Sequence, residues 1–179
     1  MRVFISINIP EEIKKDIAEI QDSLPEFEGK KTEYENLHLT LKFLGEIDEK
    51  ILEEVKDRLE KIKFSRFETG IDAVGFFDNR KSRKFSQNLI VWFHLLNCEK
   101  LQKEIDNYLD GLFEKEKRFM SHLTIARIKK IKDKKKFFDE LSRIKIKEQK
   151  FTIDKFYLMK SELNEKGPVY SVVEEFSLL

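Results

Sequence analysis

The tetrapeptide His38-Leu39-Thr40-Leu41 returns as His122-Leu123-Thr124-Ile125, and the two copies hold two of the three histidines in the chain. Imidazole is the side chain best suited to give or take a proton near neutral pH, and two of them can serve as acid and base in one reaction. A hydroxyl beside each can hold an anionic oxygen. That set of groups suits displacement at phosphorus without a metal.

For the pairs to act together, each must lie on an element that shows its polar groups to one side. In a strand, successive side chains alternate faces, so His38 and Thr40 share one face while Leu37, Leu39 and Leu41 take the other. The same parity sets His122 and Thr124 opposite Leu123 and Ile125. Each motif follows a matching run of elements. A strand-like stretch, Val3 to Ile9, leads into a helical pattern over 10–24 with Ile13, Ile17, Ile20 and Leu24 on one face; Leu89 to Leu95 leads into Leu101, Ile105, Leu109 and Leu112 likewise spaced. With Phe4 and Trp92 aligned as counterparts, this reads as an internal duplication of a β-α-β unit.

The remaining pattern fills in an α+β fold. Pro10 suits a helix start, Asp48 an N-cap for a helix over 49–62, and Asp133 an N-cap for 134–144. Strands are expected near Phe67 to Phe76, Lys150 to Met159 and Val169 to Phe176. The apolar parity shifts between Ile153 and Phe156, which suggests a bulge. The expected architecture is bilobal, with antiparallel-rich sheets, outer helices, pseudo-twofold symmetry and a central groove carrying both motifs.

Longer segments of the chain resemble one family. Met1-Arg2-Val3-Phe4-Ile5-Ser6-Ile7, Glu35-Asn36-Leu37-His38-Leu39-Thr40-Leu41-Lys42-Phe43-Leu44-Gly45-Glu46, His122-Leu123-Thr124-Ile125-Ala126-Arg127, and Leu158-Met159-Lys160-Ser161-Glu162-Leu163 with Gly167-Pro168-Val169-Tyr170 all match the two-histidine phosphoesterases, specifically the RNA 2′,3′-cyclic phosphodiesterases also called 2′-5′ RNA ligases. Tyr34 stands where the family often has Trp, and Phe76-Phe77-Asp78-Asn79 replaces the usual Phe-Pro-Asn turn. Substrate specificity is expected to depend on the loop over 77–88.

The resemblance implies hydrolysis of a 2′,3′-cyclic phosphate to a 2′-phosphate, with His122 as the base that activates water and His38 as the acid that protonates the departing 3′ oxygen. Thr40 and Thr124 would hold phosphate oxygens. With a 5′-hydroxyl in place of water, the same groups would join RNA ends by a 2′-5′ bond without ATP. No metal and no cofactor is implied. Expected substrates are RNA with 2′,3′-cyclic ends, such as tRNA halves, or cyclic nucleotides. Alternatives left open are a phosphoesterase for small cyclic-phosphate nucleotides or 2′-5′ oligoadenylates, and a noncatalytic nucleotide-binding module of the same fold. Two complete motifs favour catalysis, since binding alone does not require both.

Further contacts are expected from five residues. Arg127 corresponds to a phosphate-contacting arginine in the family, yet strict alternation sends it to the face opposite His122; it reaches the groove only through a bulge near Ala126. Lys42 shares the parity of His38 and Thr40, so it is placed to neutralise phosphate. Phe76, Phe77 and Tyr34 are candidates for stacking on a base. The third histidine, His94, reads as structural. Arg127 to Lys136 carries seven basic residues against Asp133 alone, and Lys134, Lys135 and Lys136 fall in a helix's first turn, where the macrodipole disfavours cations. A phosphate backbone alongside would offset that, marking a candidate RNA path.

Composition narrows the class. The 179 residues, 40% hydrophobic, are enough for one domain spanning 1–179 with a substantial core. One cysteine, Cys98, excludes an internal disulfide, and no apolar run reaches membrane-spanning length. A monomer in the cytoplasm, with no membrane partner, is expected. With 35 Lys and Arg against 34 Asp and Glu, any recognition of nucleic acid must be local rather than global. The charged fraction of 39%, mostly Lys and Glu, fits a thermophile. Gly70 and Gly75 lack the Lys-Ser/Thr that would complete a nucleotide-binding loop.

Overall fold

The computed structural model describes residues 1–79, 89–147, 149–165 and 167–179. Residues 80–88, most of the loop expected to shape specificity, lie outside them.

The chain runs β1 (Arg2–Asn8), α1 (Glu11–Asp22), β2 (Glu28–Lys31), a short 3-10 turn (Tyr34–Asn36), β3 (His38–Glu46), α2 (Glu49–Leu59), β4 (Phe67–Asp78), β5 (Leu89–Leu95), α3 (Glu99–Tyr108), β6 (His122–Lys130), α4 (Lys134–Leu141), β7 (Lys150–Ile153), β8 (Lys155–Asn164) and β9 (Gly167–Ser177). The fold is α+β: one antiparallel nine-stranded sheet in the order β7-β4-β5-β6-β3-β1-β8-β9, with β2 laid on β6. The two β-α-β repeats are β1-α1-β3 and β5-α3-β6, interrupted only by the short β2 and 3-10 turn. They meet where β3 and β6 pair at Leu39 and Leu123 alone. That brief pairing, between the core-facing leucines of the two motifs, sets His38 and His122 beside one groove.

The helices form where the apolar periodicity placed them. Ile13 and Ile17 on α1, Leu52, Val55 and Leu59 on α2, and Leu101 and Ile105 on α3 are all buried against the sheet. Asp48 caps α2 by accepting the Ile51 N–H at 2.8 Å, and Asp133 caps α4 by accepting that of Lys136 at 2.9 Å.

Two features depart from the sequence reading. The parity shift between Ile153 and Phe156 is a change of strand rather than a bulge: β7 ends on β4, and after Asp154 the chain enters β8 beside β1. The C-terminal segment thus serves both edges of the sheet. The counterparts also differ, because register aligns Trp92 with Ser6, each opposite a motif threonine, and Phe4 with Ile90.

Candidate active site

Both motifs carry the same irregularity. Ser6 pairs with Thr40 and Ile5 with Lys42, leaving Leu41 as an extra residue; Trp92 pairs with Thr124 and Val91 with Ala126, leaving Ile125 extra. A bulge of this kind reverses the alternation beyond it. Positions 41 and 42 are therefore both buried and 43 exposed, as 125 and 126 are buried and 127 exposed.

The reversal decides three assignments. Arg127 turns into the groove, through the bulge its parity required. Lys42 turns away from it: the side chain is 2% exposed, its ammonium paired with Asp106 of α3 at 2.6 Å and with the Glu114 carbonyl at 2.7 Å. The expectation that Lys42 neutralises phosphate is thus corrected. Phe43 is 67% exposed and lines the groove in the place where the second repeat has Arg127.

The groove encloses about 700 Å³ and includes His38, Thr40, His122, Thr124, Arg127 and Phe77 among its walls. Each histidine is held in one tautomer. His38 Nδ1 lies 2.8 Å from the Asn36 carbonyl and His122 Nδ1 lies 2.8 Å from that of Met120. A carbonyl can only accept, so both Nδ1 atoms carry a proton, leaving each neutral ring with Nε2 as its acceptor. Nε2 of His38 accepts from the Thr40 hydroxyl at 3.0 Å.

Aromatic rings fix both imidazoles from the side. His38 lies 5.0 Å from the Phe4 ring centroid and edge-on to Tyr170 at 5.2 Å; His122 lies edge-on to Phe77 at 5.2 Å and 6.5 Å from Trp92. Trp92 can occupy its place because Gly75 stands opposite, where a Cβ would come within 2.3 Å of the indole. These apolar walls disfavour the charged rings. Burial pushes His38 down to about 4, the positive charge of Arg127 lowering it further while the Asn36 carbonyl opposes. His122 is lowered in the same way, by burial first and then by Arg127.

Other expected contacts fall elsewhere. Phe76 points to the opposite side of β4 from Phe77 and packs on Phe138 of α4 at 4.7 Å. That contact places α4 on the sheet face away from Phe77, so the Lys134–Lys136 turn is not part of the groove wall. Tyr34 hydrogen-bonds Glu11 through its hydroxyl, at 2.9 Å, with Lys14 over its ring, and does not line the groove. Among the described residues, the cations on the wall besides Arg127 are Arg2, Lys30 and Lys31. Lys30 pairs with Glu33 at 2.5 Å. Lys30 and Lys31 escaped the sequence reading because β2, Glu-Gly-Lys-Lys, has no apolar residue to mark it as a strand. His94 stays on the β5–β4 surface with Asp72 at 2.7 Å.

Comparison with known proteins agrees with this geometry. Over 98% of its length the chain is 36% identical to the whole of an RNA 2′,3′-cyclic phosphodiesterase from Methanocaldococcus jannaschii. It is 32% identical, over 98% of its length and 94% of the relative, to one from Thermotoga maritima. A crystal structure of a Thermus thermophilus protein superimposes with a TM-score of 0.80 at 26% identity, covering 99% of this chain and 97% of that one. The model of the LigT-like phosphoesterases matches residues 7–85 and 97–170, both histidine motifs included. With both His-x-Thr motifs inside the matched stretches, this chain belongs to the LigT-like phosphoesterase family.

Proposed function

We propose that this protein is an RNA 2′,3′-cyclic phosphodiesterase that opens the cyclic ester to a 2′-phosphate. The observation that carries this reading is the presence of two fixed-tautomer imidazoles, with Thr40, Thr124 and Arg127, around one groove. The names borne by the relatives at 36% and 32% identity support the substrate class.

In this mechanism His122 Nε2 removes a proton from water as its oxygen attacks phosphorus. The P–O3′ bond breaks, and a proton from His38 Nε2 leaves with O3′ as a hydroxyl. Arg127 and the two threonine hydroxyls hold the nonbridging oxygens, where negative charge accumulates. Neutral histidines suit the base at once. The acid must first be charged, and an anionic phosphate in the groove supplies the field that raises its proton affinity. Phe43, exposed on the His38 side of the pseudo-twofold, offers a ring face to the nucleoside of the leaving oxygen.

Both motifs and Arg127 line one groove within a single chain, which supports a monomeric enzyme. Among the described residues no helix is long and apolar enough to cross a membrane, and the lone buried Cys98 supports a cytoplasmic setting. Incubation with 2′,3′-cyclic AMP and with cyclic-ended RNA, followed by identification of the phosphate by 31P NMR, tests the proposal. A 2′-phosphate is expected; a 3′-phosphate, or no hydrolysis of either substrate, would overturn it. Adding an RNA with a 5′-hydroxyl to the same incubation reads 2′-5′ joining directly.

A further inference from the structure

Arg127 depends on a backbone detail. The Ile125 bulge alone turns it into the groove, so whatever holds that bulge holds the guanidinium. Regular pairing to β5 is broken at this residue, and three neighbours on the other side take over. The Thr32 N–H donates to the Ile125 carbonyl at 2.9 Å, just past the end of β2. Gly29 of β2 lies so close that a Cβ there would meet the Arg127 carbonyl oxygen at 2.3 Å. The third is a side chain from the other repeat. Gln21, in the last turn of α1, donates from Nε2 to the Ile125 carbonyl at 2.8 Å and to the Thr32 carbonyl at 2.9 Å.

A glutamine only 5% exposed is costly unless its amide is used. Here both N–H groups are committed, one to the bulged residue itself and one to the strand that flanks it. On the other repeat the same task falls to α3, whose Asp106 receives Lys42, the residue after the Leu41 bulge. Each repeat's helix thus reaches across the pseudo-twofold to brace the bulge of the other.

We infer that Gln21 is a positioning residue for Arg127: its amide pins the Ile125 bulge and the end of β2 together, and thereby fixes the guanidinium where it meets the substrate phosphate. The inference rests on the reading of Arg127 as the phosphate contact. It does not depend on which cyclic ester is the substrate.

The test uses inorganic phosphate as the probe, so that failure of this inference is separable from failure of the proposed reaction. Gln21→Met keeps the volume and the helix propensity but removes both donors. The variant, shown folded by its amide NMR spectrum, is expected to bind phosphate roughly ten-fold more weakly, as Arg127→Ala does, since a hydrogen bond to a charged group is lost in both. In the double variant the losses are expected not to add. A second readout is the titration of the histidine ring protons. Because Arg127 helps to lower both imidazoles, His38 and His122 are expected to titrate higher in Gln21→Met, in the direction seen for Arg127→Ala. Loosening that hydrated the rings would raise them too, but it would do so equally in an Arg127→Ala background, where loss of the Gln21 amide is expected to move neither ring further. Should Gln21→Met fail to fold, Gln21→Asn retains an amide that is one methylene too short to reach both carbonyls, and the same shifts are expected of it. Wild-type phosphate affinity with unmoved histidine titrations in a folded variant would overturn the inference, as would losses that add in full to those of Arg127→Ala.

Discussion

Phe43 and Arg127 occupy equivalent places in the two repeats, each five residues past its histidine and two past a bulge. The duplicated framework would otherwise present the same groove in both directions. This difference contributes a polarity, with a cation on the strand of the second motif and an aromatic face on that of the first. Arg127→Ala is expected to lower kcat by about 10² to 10³, the usual cost of one oxyanion donor. Phe43→Ala should act mainly on KM, and only for substrates that carry a base: stacking contributes about 1–3 kcal/mol per base, so KM is expected to rise by roughly 5- to 150-fold. Steady-state kinetics on a cyclic nucleotide and on ribose 2′,3′-cyclic phosphate separate the two. A Phe43→Ala effect of equal size on both substrates would contradict the base-stacking role.

The pH dependence follows from the lowered imidazoles. Turnover needs one ring protonated and one neutral, which gives a bell whose centre lies between the two values. Since kcat/KM reports the free enzyme, and burial lowers both rings from an ordinary value of about 6.5, its maximum is expected on the acid side of 6.5. Anionic substrate raises both rings, so the kcat bell should sit at higher pH than the kcat/KM bell. The two profiles measured from pH 4 to 9 decide this; a kcat/KM that climbs steadily through pH 8 would contradict it.

The same burial makes His38 a source of acid lability. Its folded-state value, about 4, lies below the unfolded one, so it contributes stability that is fully present above about pH 6.5 and lost as pH falls through about 4. Urea denaturation across this range should show a shallower loss for His38→Ala than for the wild type. Parallel stability profiles for the two proteins would argue against a neutral, half-buried His38.

Much of this was legible in the residues. Strand parity placed His38, Thr40, His122 and Thr124 on groove faces, and the 3.6-residue periodicity located the helices. The bulges were harder to see, although Ile125-Ala126 followed by Ile128 already departs from strict alternation. In the first repeat Lys42 replaces the alanine and hides the same signal, so unbroken alternation puts Lys42 on the groove face. The four residues of β2 carry no apolar pattern because the strand lies across β6 with every residue exposed. Phe76 and Phe77 are indistinguishable by type; only the register of β4 on β5 tells which one faces His122.

Lys42 and Asp106 form a buried pair in which burial opposes ionisation of the carboxyl, but Lys42, the Glu116 N–H and Gln102 outweigh it and hold Asp106 below the usual carboxylate range. Lys42→Met alone leaves Asp106 without its counter-ion and is expected to cost about 3–5 kcal/mol, whereas combining it with Asp106→Leu should recover much of that. Denaturation of the three variants checks it. Additive losses would show that the pair is not the source of the effect.

Gly75→Ala places a methyl group against Trp92, the ring beside His122. The indole must shift, so kcat is expected to fall by about 10-fold or more even though neither residue touches the phosphate, as small misplacements of reacting groups do. Unchanged kcat in Gly75→Ala would mean that Trp92 does not position His122.

The central claim is that two histidines perform the reaction as acid and base. Hydrolysis of 2′,3′-cyclic AMP, followed in EDTA for the wild type, His38→Ala, His122→Ala and the double variant, tests it most directly. The wild type is expected to yield 2′-AMP, each single variant to lose about 10² to 10⁴ in kcat while remaining folded, and the double variant to lose far less than the product of the two. A folded His122→Ala protein turning over at near the wild-type rate, or wild-type activity abolished by EDTA and restored by a divalent ion, would contradict it.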